Sequence, residues 1–281
     1  MVREDKGMEQ VAAADATAAG AATAGKDVRM TGECATDERM SGERAAVEAE
    51  PGERGSAPTP PFDTFVFDLD GTLLDTLDDL MVLTNDVLAE FDMPAHTREE
   101  INSYVGNGAA ALIYQAVPAG TSQEVADACL ARWKEAYDTY PNDLTKPYPG
   151  IEAMLAELRR RGCKLGILSN KFDRGVTFIV RKCLDGQVDV AHGEGGERHF
   201  PRKPAPEGLL STIEELGSTP ACTVYIGDSP GDIHAARNAG CYAVGVDWGY
   251  HDPADFAAEG WEPDVLASSP EQIVALAPEA V

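Results

Sequence analysis

The sequence predicts an α/β fold, a Rossmann-like parallel sheet core with an inserted small helical cap domain. From Phe62 onward, short apolar runs alternate with amphipathic segments, the pattern of a parallel sheet covered by helices on both faces. Between residues 80 and 146 this alternation stops and the segment reads as helices alone. Hydrophobic residues make up 43% of the 281 residues, which is enough for a substantial core.

Composition divides the chain into three parts. Residues 1–60 contain no aromatic side chain and are rich in Ala, Thr, Gly and charge, so we expect a disordered extension. Residues 61–79 and 147–281 form the predicted core, and residues 80–146 form the predicted cap. We expect a chain that starts near Ser56 to keep full activity.

The first predicted elements are a strand at 62–69 and a helix at 75–91, where Leu77, Leu80, Met81, Val87, Leu88 and Phe91 share one helical face. Within the insertion, Thr121 and Glu124 form a T-x-x-E pattern that predicts a capping box. The helix that follows is predicted to bury Val125, Cys129, Trp133 and Tyr137.

The remaining core alternates strands and helices. A helix begins at Ile151 and is stopped by Gly162, and another opens at Pro204 and Pro206. The other predicted elements are, in chain order, the strand "CKLGILSN", the helix "FDRGVTFIVRKCL", the weaker strand "VDVAHGE", the strand "CTVYIGDS", the glycine-capped helix "PGDIHAARNAG", the strand "CYAVGVDWG", and the final strand and helix "PDVLASS" and "PEQIVALA".

The charge of the chain argues against several partners. It has 48 acidic and 23 basic residues, a net charge of −25, whereas nucleic acid binding depends on clustered Lys and Arg. An anionic membrane surface is disfavoured for the same reason, and no apolar run approaches the roughly 18 residues of a membrane span. The six cysteines show no C-x-x-C pair, so we expect reduced thiols in a cytoplasmic protein.

Polar side chains stand at the ends of three predicted strands. Asp68 ends the first and Asp70 lies two residues on, Ser169 and Asn170 come after "LGIL" in the second, and Asp228 comes after "TVYI" in a later one. Because ligands bind beyond the carboxyl ends of parallel strands, we expect these side chains to meet. Close carboxylates repel one another unless they are protonated or metal-bound, and an all-oxygen group suits Mg²⁺.

Four motifs in this order resemble the haloacid dehalogenase-like superfamily of phosphohydrolases. They are "DLDGT" at 68–72, "LSN" at 168–170, Lys203 in "RKPAPEGLL" and "GDSPGD" at 227–232. The resemblance covers about residues 62–280. It implies a Mg²⁺-dependent phosphomonoesterase that works through an aspartyl-phosphate intermediate.

The resemblance also implies a role for each acidic residue. Asp68 would attack phosphorus, and Asp70 would protonate the leaving alcohol and then activate water. Mg²⁺ would be held by Asp68, the backbone carbonyl of Asp70, and Asp228. Asp232, one helical turn beyond Asp228, would support the metal site from behind.

Substrate contacts are predicted from both parts of the chain. Ser169 would hold the transferred oxygens and Lys203 would neutralise their charge, with Asn170 and Lys171 beside them. In the cap, the "VGNG" stretch leads into an Ala-rich helix whose free N–H groups suit a second anion such as a carboxylate. A glycine hinge with an ordinary N-cap is the alternative. The predicted contacts in this stretch are Gly106, Asn107 and Gly108.

The stretches "VGNG", "PYPG" and "LSNK" resemble the phosphoglycolate phosphatase branch, which implies 2-phosphoglycolate as the substrate. A pyrophosphatase, a sugar-phosphate phosphatase and a β-phosphoglucomutase remain alternatives, as does a catalytically silent binding module. A dehalogenase is disfavoured because it does not need Asp70. Asp75 and Thr76 are further candidates for substrate contact, and the five histidines receive no role. We expect a small phosphorylated metabolite as partner and a monomer or homodimer.

Overall fold

A computed structural model of the chain describes residues 62–196, 199–258 and 260–279. The predicted extension, residues 1–60, lies outside them. The strands are β1 (Thr64–Phe67), β2 (Leu74–Asp75), β3 (Lys146–Pro147), β4 (Lys164–Phe172), β5 (Val190–Glu194), β6 (Thr223–Gly227), β7 (Tyr242–Val246) and β8 (Val265–Ala267). Six of them form a parallel sheet in the order β5-β4-β1-β6-β7-β8.

Helices cover both faces of this sheet. They are α1 (Leu77–Glu90), α2 (Arg98–Tyr104), α3 (Gly108–Ala116), α4 (Gln123–Tyr137), α5 (Ile151–Arg160), α6 (Asp173–Cys183), α7 (Glu207–Glu215), α8 (Pro230–Ala239), α9 (Ala254–Ala258) and α10 (Pro270–Val274). Phe65 and Phe67 of β1 pack in a cluster with α5, α6 and α10, whereas Val66 packs with α7 and α8. This alternation follows from the period of two in a strand, and it confirms the predicted doubly covered α/β sheet.

The helices α1 to α4 form a helical insertion, residues 77–137, with a hydrophobic cluster of its own. The cluster is centred on Trp133 and Tyr137 of α4, with Leu83 of α1 and Ile113 of α3, and all four are almost fully buried. The insertion is joined to the sheet by the antiparallel pair of β2 and β3, a pair that the sequence analysis did not predict. Phe172, at the end of β4, packs into the same cluster.

The start of α4 differs from the prediction by one residue. Its N-cap is Ser122, whose hydroxyl accepts from the Val125 N–H at 3.4 Å, while the Thr121 hydroxyl donates to a carbonyl. The predicted Thr121–Glu124 capping box is therefore wrong. Val125 is correspondingly 38% exposed, and the buried face begins at Ala126.

Two helices elsewhere do begin with a capping box. They are α2, with Thr97 and Glu100, and α8, with Ser229 and Asp232. The capping box of α8 is relevant to the candidate site because Asp232, one of the predicted acidic site residues, is part of it. No helix among the described residues has both the length and the apolar character needed to cross a bilayer.

Candidate active site

Three buried carboxylates meet at the carboxyl edge of the sheet. Asp68 directly follows β1 and Asp228 directly follows β6, and the two strands are neighbours, with the Asp68 N–H donating to the Ile226 carbonyl at 2.8 Å. Asp232 reaches the same point from the first turn of α8. Carboxylate oxygens of Asp68, Asp228 and Asp232 lie within 4.8 Å of one another.

Lys203 pairs with two of these three carboxylates. Its ammonium lies 2.9 Å from Asp68 Oδ1 and 2.6 Å from Asp232 Oδ1, with the lysine side chain 5% exposed. Burial alone lowers the pKa of Lys203, but the adjacent charges of Asp232 and Asp68 outweigh burial and hold it well above its usual value. Lys203 therefore stays charged.

Asp232 and Asp68 differ in how their oxygens are used. Asp232 accepts hydrogen bonds from Lys203, from the Tyr225 hydroxyl at 3.2 Å, and from the N–H and hydroxyl of Ser229. Asp68 Oδ1 is buried and accepts no aligned hydrogen bond, although Lys203 is in ion-pair contact with it. The hydrogen bonds of Asp232 thus hold Ser229 and Lys203 in place, whereas Asp68 Oδ1 is available to bind a cation.

The charge of this group fits a bound divalent cation. Of the three buried carboxylates, Asp68 and Asp232 pair with the ammonium of Lys203, whereas Asp228 lies 3.4 Å from His251 Nδ1. Burial, opposed by Lys203 and reinforced by the charges of Asp232 and Asp228, raises the pKa of Asp68 to about 7. A divalent ion would balance the remaining charge, and an oxygen-only donor set with an available Asp68 oxygen suits Mg²⁺.

Asp70 lies beside this group with different partners. Its Oδ1 accepts from the Thr76 hydroxyl at 2.6 Å and from the Lys171 ammonium at 3.0 Å, and its Oδ2 lies 3.3 Å from Lys171. Gly71 turns the chain away at a positive φ of 84°. Because Oδ1 already accepts two donors, Oδ2 is the oxygen with more freedom to exchange a proton.

Ser169 and Asn170 lie within β4, which continues to Phe172, and both residues are buried. The Asn170 amide donates to the Gly106 carbonyl at 3.0 Å and accepts from the Lys203 N–H at 2.9 Å, so its polar atoms contact protein backbone. The Ser169 hydroxyl accepts from the Lys171 N–H at 3.2 Å. Asn170 therefore links the helical insertion to the segment that carries Lys203.

A narrow cavity of about 40 Å³ lies between the sheet edge and the helical insertion. From the insertion, Leu80, Leu112 and Trp133 line it. Seven of the predicted site residues line it as well: Asp68, Asp70, Gly106, Gly108, Ser169, Asn170 and Lys171. Asn107 and Lys203 line a wider adjoining cleft of about 390 Å³, which shares Val105, Gly106 and Asn170 with the cavity.

The predicted anion site at the start of α3 has a carboxylate beside it. Asn107 is the N-cap, but its side chain makes no capping hydrogen bond. A Cβ added at Gly108 would lie 2.9 Å from Glu194 Oε2 and 3.0 Å from the Asn170 carbonyl, so this helix start packs closely against both. Glu194 is held there by Arg202 at 2.6 Å. The same added Cβ would lie 3.2 Å from Arg202 Nε, so an ion pair of Glu194 and Arg202 lies beside this helix start.

The loop after β7 contributes contacts that the sequence analysis missed. The Tyr250 N–H donates to Asp228 Oδ2 at 2.8 Å, and His251 Nδ1 lies 3.4 Å from the same oxygen. At Gly249 an added Cβ would lie 2.2 Å from Asp228 Cβ, so a side chain has no room there. A glycine between aromatic residues just beyond a strand, "WGYH", is the signal that was available.

The sequence comparison agrees with this geometry. Residues 65–246, about two thirds of the chain, match the family described as haloacid dehalogenase-like hydrolase. The chain belongs to this haloacid dehalogenase-like family.

Curated relatives make the family assignment more specific. This haloacid dehalogenase-like hydrolase is 33% identical over 199 residues to a phosphoglycolate phosphatase of Pseudomonas putida, covering 69% of this chain and 72% of the relative. It is 34% identical over 216 residues to a phosphoglycolate phosphatase of Vibrio vulnificus, covering 74% and 92%.

A solved structure from Haemophilus somnus, described as a predicted phosphoglycolate phosphatase, matches with a TM-score of 0.70 at 25% identity. The match covers 79% of this chain and 99% of that one. The haloacid dehalogenase-like family and these relatives together identify the protein as a phosphatase.

Proposed function

We propose that this phosphatase is a Mg²⁺-dependent phosphomonoesterase that hydrolyses 2-phosphoglycolate to glycolate and phosphate through an aspartyl-phosphate on Asp68. One observation carries the proposal. The carboxylates of Asp68, Asp228 and Asp232 are buried together, two of them paired with Lys203, while Asp70 lies beside this cluster in the cavity that Asp68 also lines. In this arrangement Asp68 is the nucleophile at the cation site, and Asp70 is a separate general acid and base that faces the substrate.

The chemistry follows from the two aspartates. An Asp68 oxygen attacks phosphorus as the ester P–O bond breaks, and Asp70 gives its proton to the departing alkoxide oxygen. Asp70 then takes a proton from water, whose oxygen attacks phosphorus, releases phosphate and restores Asp68. Mg²⁺, held by Asp68, the Asp70 carbonyl and Asp228, would neutralise phosphate charge so that an anionic nucleophile can approach.

Lys203 and Ser169 complete the phosphate site in this proposal. Lys203 touches Asp68 and lies at the edge of the adjoining cleft, so it screens the nucleophile from the incoming phosphate charge. The Ser169 hydroxyl lines the cavity and has a proton to donate to a phosphoryl oxygen. Asp232 keeps Lys203 in place through the 2.6 Å ion pair.

The cavity favours a small leaving group. A water occupies roughly 10–15 Å³ on the scale on which this cavity measures about 40 Å³, so about three water-sized groups fit. The carboxymethyl part of phosphoglycolate is of about this size, whereas a sugar would have to extend into the adjoining cleft of about 390 Å³. Leu112 and Trp133 form the apolar wall of this cavity.

Lys171 is the partner we propose for the substrate carboxylate. Its ammonium lines the cavity and pairs with Asp70, and no other cation lines the cavity among the described residues. When Asp70 carries its proton, the ammonium is released to pair with a substrate carboxylate. The start of α3 suits this role less well because Gly108 packs closely against Glu194, and Arg202 beside it already pairs with that carboxylate. Gly106, Asn107 and Gly108 then shape the entrance and supply backbone contacts.

A substrate panel tests the proposal. We would measure kcat/KM with Mg²⁺ and with a chelator for 2-phosphoglycolate, glucose 1-phosphate, glucose 6-phosphate and pyrophosphate. The proposal expects Mg²⁺-dependent hydrolysis that is fastest with 2-phosphoglycolate and is lost in Asp68→Asn. If a sugar phosphate or pyrophosphate has the highest kcat/KM, 2-phosphoglycolate is rejected as the substrate. Conversion of glucose 1-phosphate to its isomer, in an assay that also supplies a phosphorylated sugar, favours a mutase. No turnover of any ester favours a silent binding module.

The role of Lys171 is tested separately with ethyl phosphate, which resembles phosphoglycolate but has no carboxylate. In Lys171→Met we expect kcat/KM to fall for both 2-phosphoglycolate and ethyl phosphate, because Asp70 loses a hydrogen-bond partner. The preference for phosphoglycolate over ethyl phosphate falls as well, by about 10- to 100-fold, because one charge-assisted hydrogen bond is lost. An unchanged preference would remove Lys171 from substrate recognition.

We also propose a cytoplasmic location. The described cysteines Cys129, Cys163, Cys183 and Cys241 form no disulfide, which fits a reducing compartment. Fractionation of cells that express the full chain tests this point, and recovery in the secreted or periplasmic fraction would contradict it.

A further inference from the structure

Tyr250 contacts three parts of the molecule that the proposed reaction needs. Its N–H donates to Asp228 Oδ2 at 2.8 Å, and its carbonyl accepts from the Asn102 amide of α2 at 3.2 Å. Its hydroxyl accepts from the Thr76 N–H at 2.7 Å. A single residue after β7 therefore touches the proposed metal ligand, the helical insertion and the chain that enters the insertion.

Thr76 connects Tyr250 to Asp70 through hydrogen bonds. The Thr76 hydroxyl donates to Asp70 Oδ1 at 2.6 Å and lies 3.2 Å from the Tyr250 hydroxyl. Since the Thr76 proton goes to Asp70, the Tyr250 proton is directed to Thr76 Oγ1 or to Asp75 Oδ1 at 3.3 Å. Thr76 is 2% exposed, so water does not readily replace either contact.

We propose that Tyr250 is a positioning residue for Asp70. It fixes the backbone and hydroxyl of Thr76, and Thr76 fixes the Asp70 carboxyl so that Oδ2 faces the leaving oxygen. Tyr250 lies outside the residues that line the cavity, so it acts through Thr76 without touching substrate. This inference goes beyond the proposed function but rests on its assignment of Asp70 as the general acid.

The proposal predicts a dependence on the leaving group. In ethyl phosphate the P–O bond breaks to give an alkoxide, which must take the proton of Asp70. In acetyl phosphate, which is of similar size, the same bond breaks to give acetate, which leaves as a stable anion and needs no proton. In both esters the new bond forms between Asp68 and phosphorus, and kcat/KM reports the steps up to this bond exchange.

The test uses Tyr250→Phe, which removes one hydroxyl and keeps the N–H to Asp228. We expect kcat/KM for ethyl phosphate to fall by about 10- to 100-fold, because misplaced general acids lose most of their contribution, while acetyl phosphate falls less than about threefold. Tyr242→Phe is the matched control. Tyr242 is a partly buried tyrosine of β7 that packs against Phe62 away from the site, and we expect no change for either ester.

Two outcomes overturn the inference. Equal falls for both esters would mean that Tyr250 only supports the fold, and no fall for ethyl phosphate would mean that Asp70 is aligned without it. A wild-type chain that hydrolyses neither these two esters nor 2-phosphoglycolate with Mg²⁺ would instead reject the proposed function, so the two failures are distinguishable.

Variants of Thr76 test the same chain of contacts from its other end. Thr76→Val should reproduce the selective loss, Thr76→Ser should recover it, and Tyr250→Phe added to Thr76→Val should cause no further selective loss. If Tyr250→Phe is too unstable to assay, the Val and Ser variants decide the point. If the ratio of kcat/KM for ethyl phosphate to that for acetyl phosphate is the same in Thr76→Val and Thr76→Ser, the inference is overturned.

Discussion

Replacement of Lys203 by Met tests the electrostatics of the site most directly. Methionine keeps the apolar stem but removes the ammonium that lies 2.9 Å from Asp68 and 2.6 Å from Asp232. At an effective dielectric of about 20 each contact has a gross attraction of about 6 kcal/mol, much of which is offset by the desolvation of the lysine. Removing one partner of a buried ion pair costs about 3–5 kcal/mol of stability.

The measurement is urea and thermal unfolding of the metal-free protein. For a domain of this size, about 3–5 kcal/mol corresponds to a Tm lowered by about 6–20 °C. Saturating Mg²⁺ should recover part of the loss, because the cation replaces the missing positive charge next to Asp68 and Asp232. Phosphatase activity should not recover, because the screening of Asp68 by the lysine is absent.

Lys164→Met is the matched control for this prediction. Lys164 donates one exposed hydrogen bond to the Gly217 carbonyl, so its loss should cost no more than about 1 kcal/mol. If Lys203→Met and Lys164→Met destabilise the protein equally, or if Mg²⁺ stabilises the Lys203 variant less than the wild type, the account of a charge-balanced carboxylate cluster is wrong.

Three further predictions concern packing. Gly249→Ala should lower Mg²⁺-dependent kcat/KM more than about tenfold, because its Cβ would lie 2.2 Å from Asp228 Cβ and must displace it; unchanged Mg²⁺ dependence would contradict this. Thr84→Val should lower the free energy of unfolding in urea by about 1–3 kcal/mol, since the buried Trp133 N–H loses its acceptor at 3.1 Å; a smaller loss would show that another acceptor replaces it. Burial raises the pKa of Cys241 to about 12, so a thiol reagent at about pH 8 should label it only after unfolding, and rapid labelling of the native protein would refute that.

Local sequence patterns were sufficient for the sheet and for the edge on which the site lies. Alternating strands and helices predict the parallel sheet, and carboxylates just after two strands must lie at the carboxyl edge, whatever the strand order. Helix starts were less predictable. Thr121 and Ser122 are both good N-caps, and only the hydrogen bond from Val125 to Ser122 decides between them.

Partners far apart in sequence could not be predicted from such patterns. Lys171 pairs with Asp70 across 101 positions, because β4 happens to lie beside β1. The carboxylate next to Gly108 belongs to Glu194 of β5, which pairs with Arg202, so the predicted anion site lies beside an ion pair of two residues that are remote from it in sequence.

The sequence by itself thus determined the fold class and the acidic side chains at the edge of the sheet, since both depend on hydrophobic periodicity and on residues adjacent to strands. Tertiary structure alone decided which donors from remote parts of the chain those acids receive. Tyr250, 22 residues beyond Asp228, reaches it only because the loop after β7 folds over Gly71. Hydrogen bonds act over about 3 Å, and such distances between remote residues are set only when the chain packs.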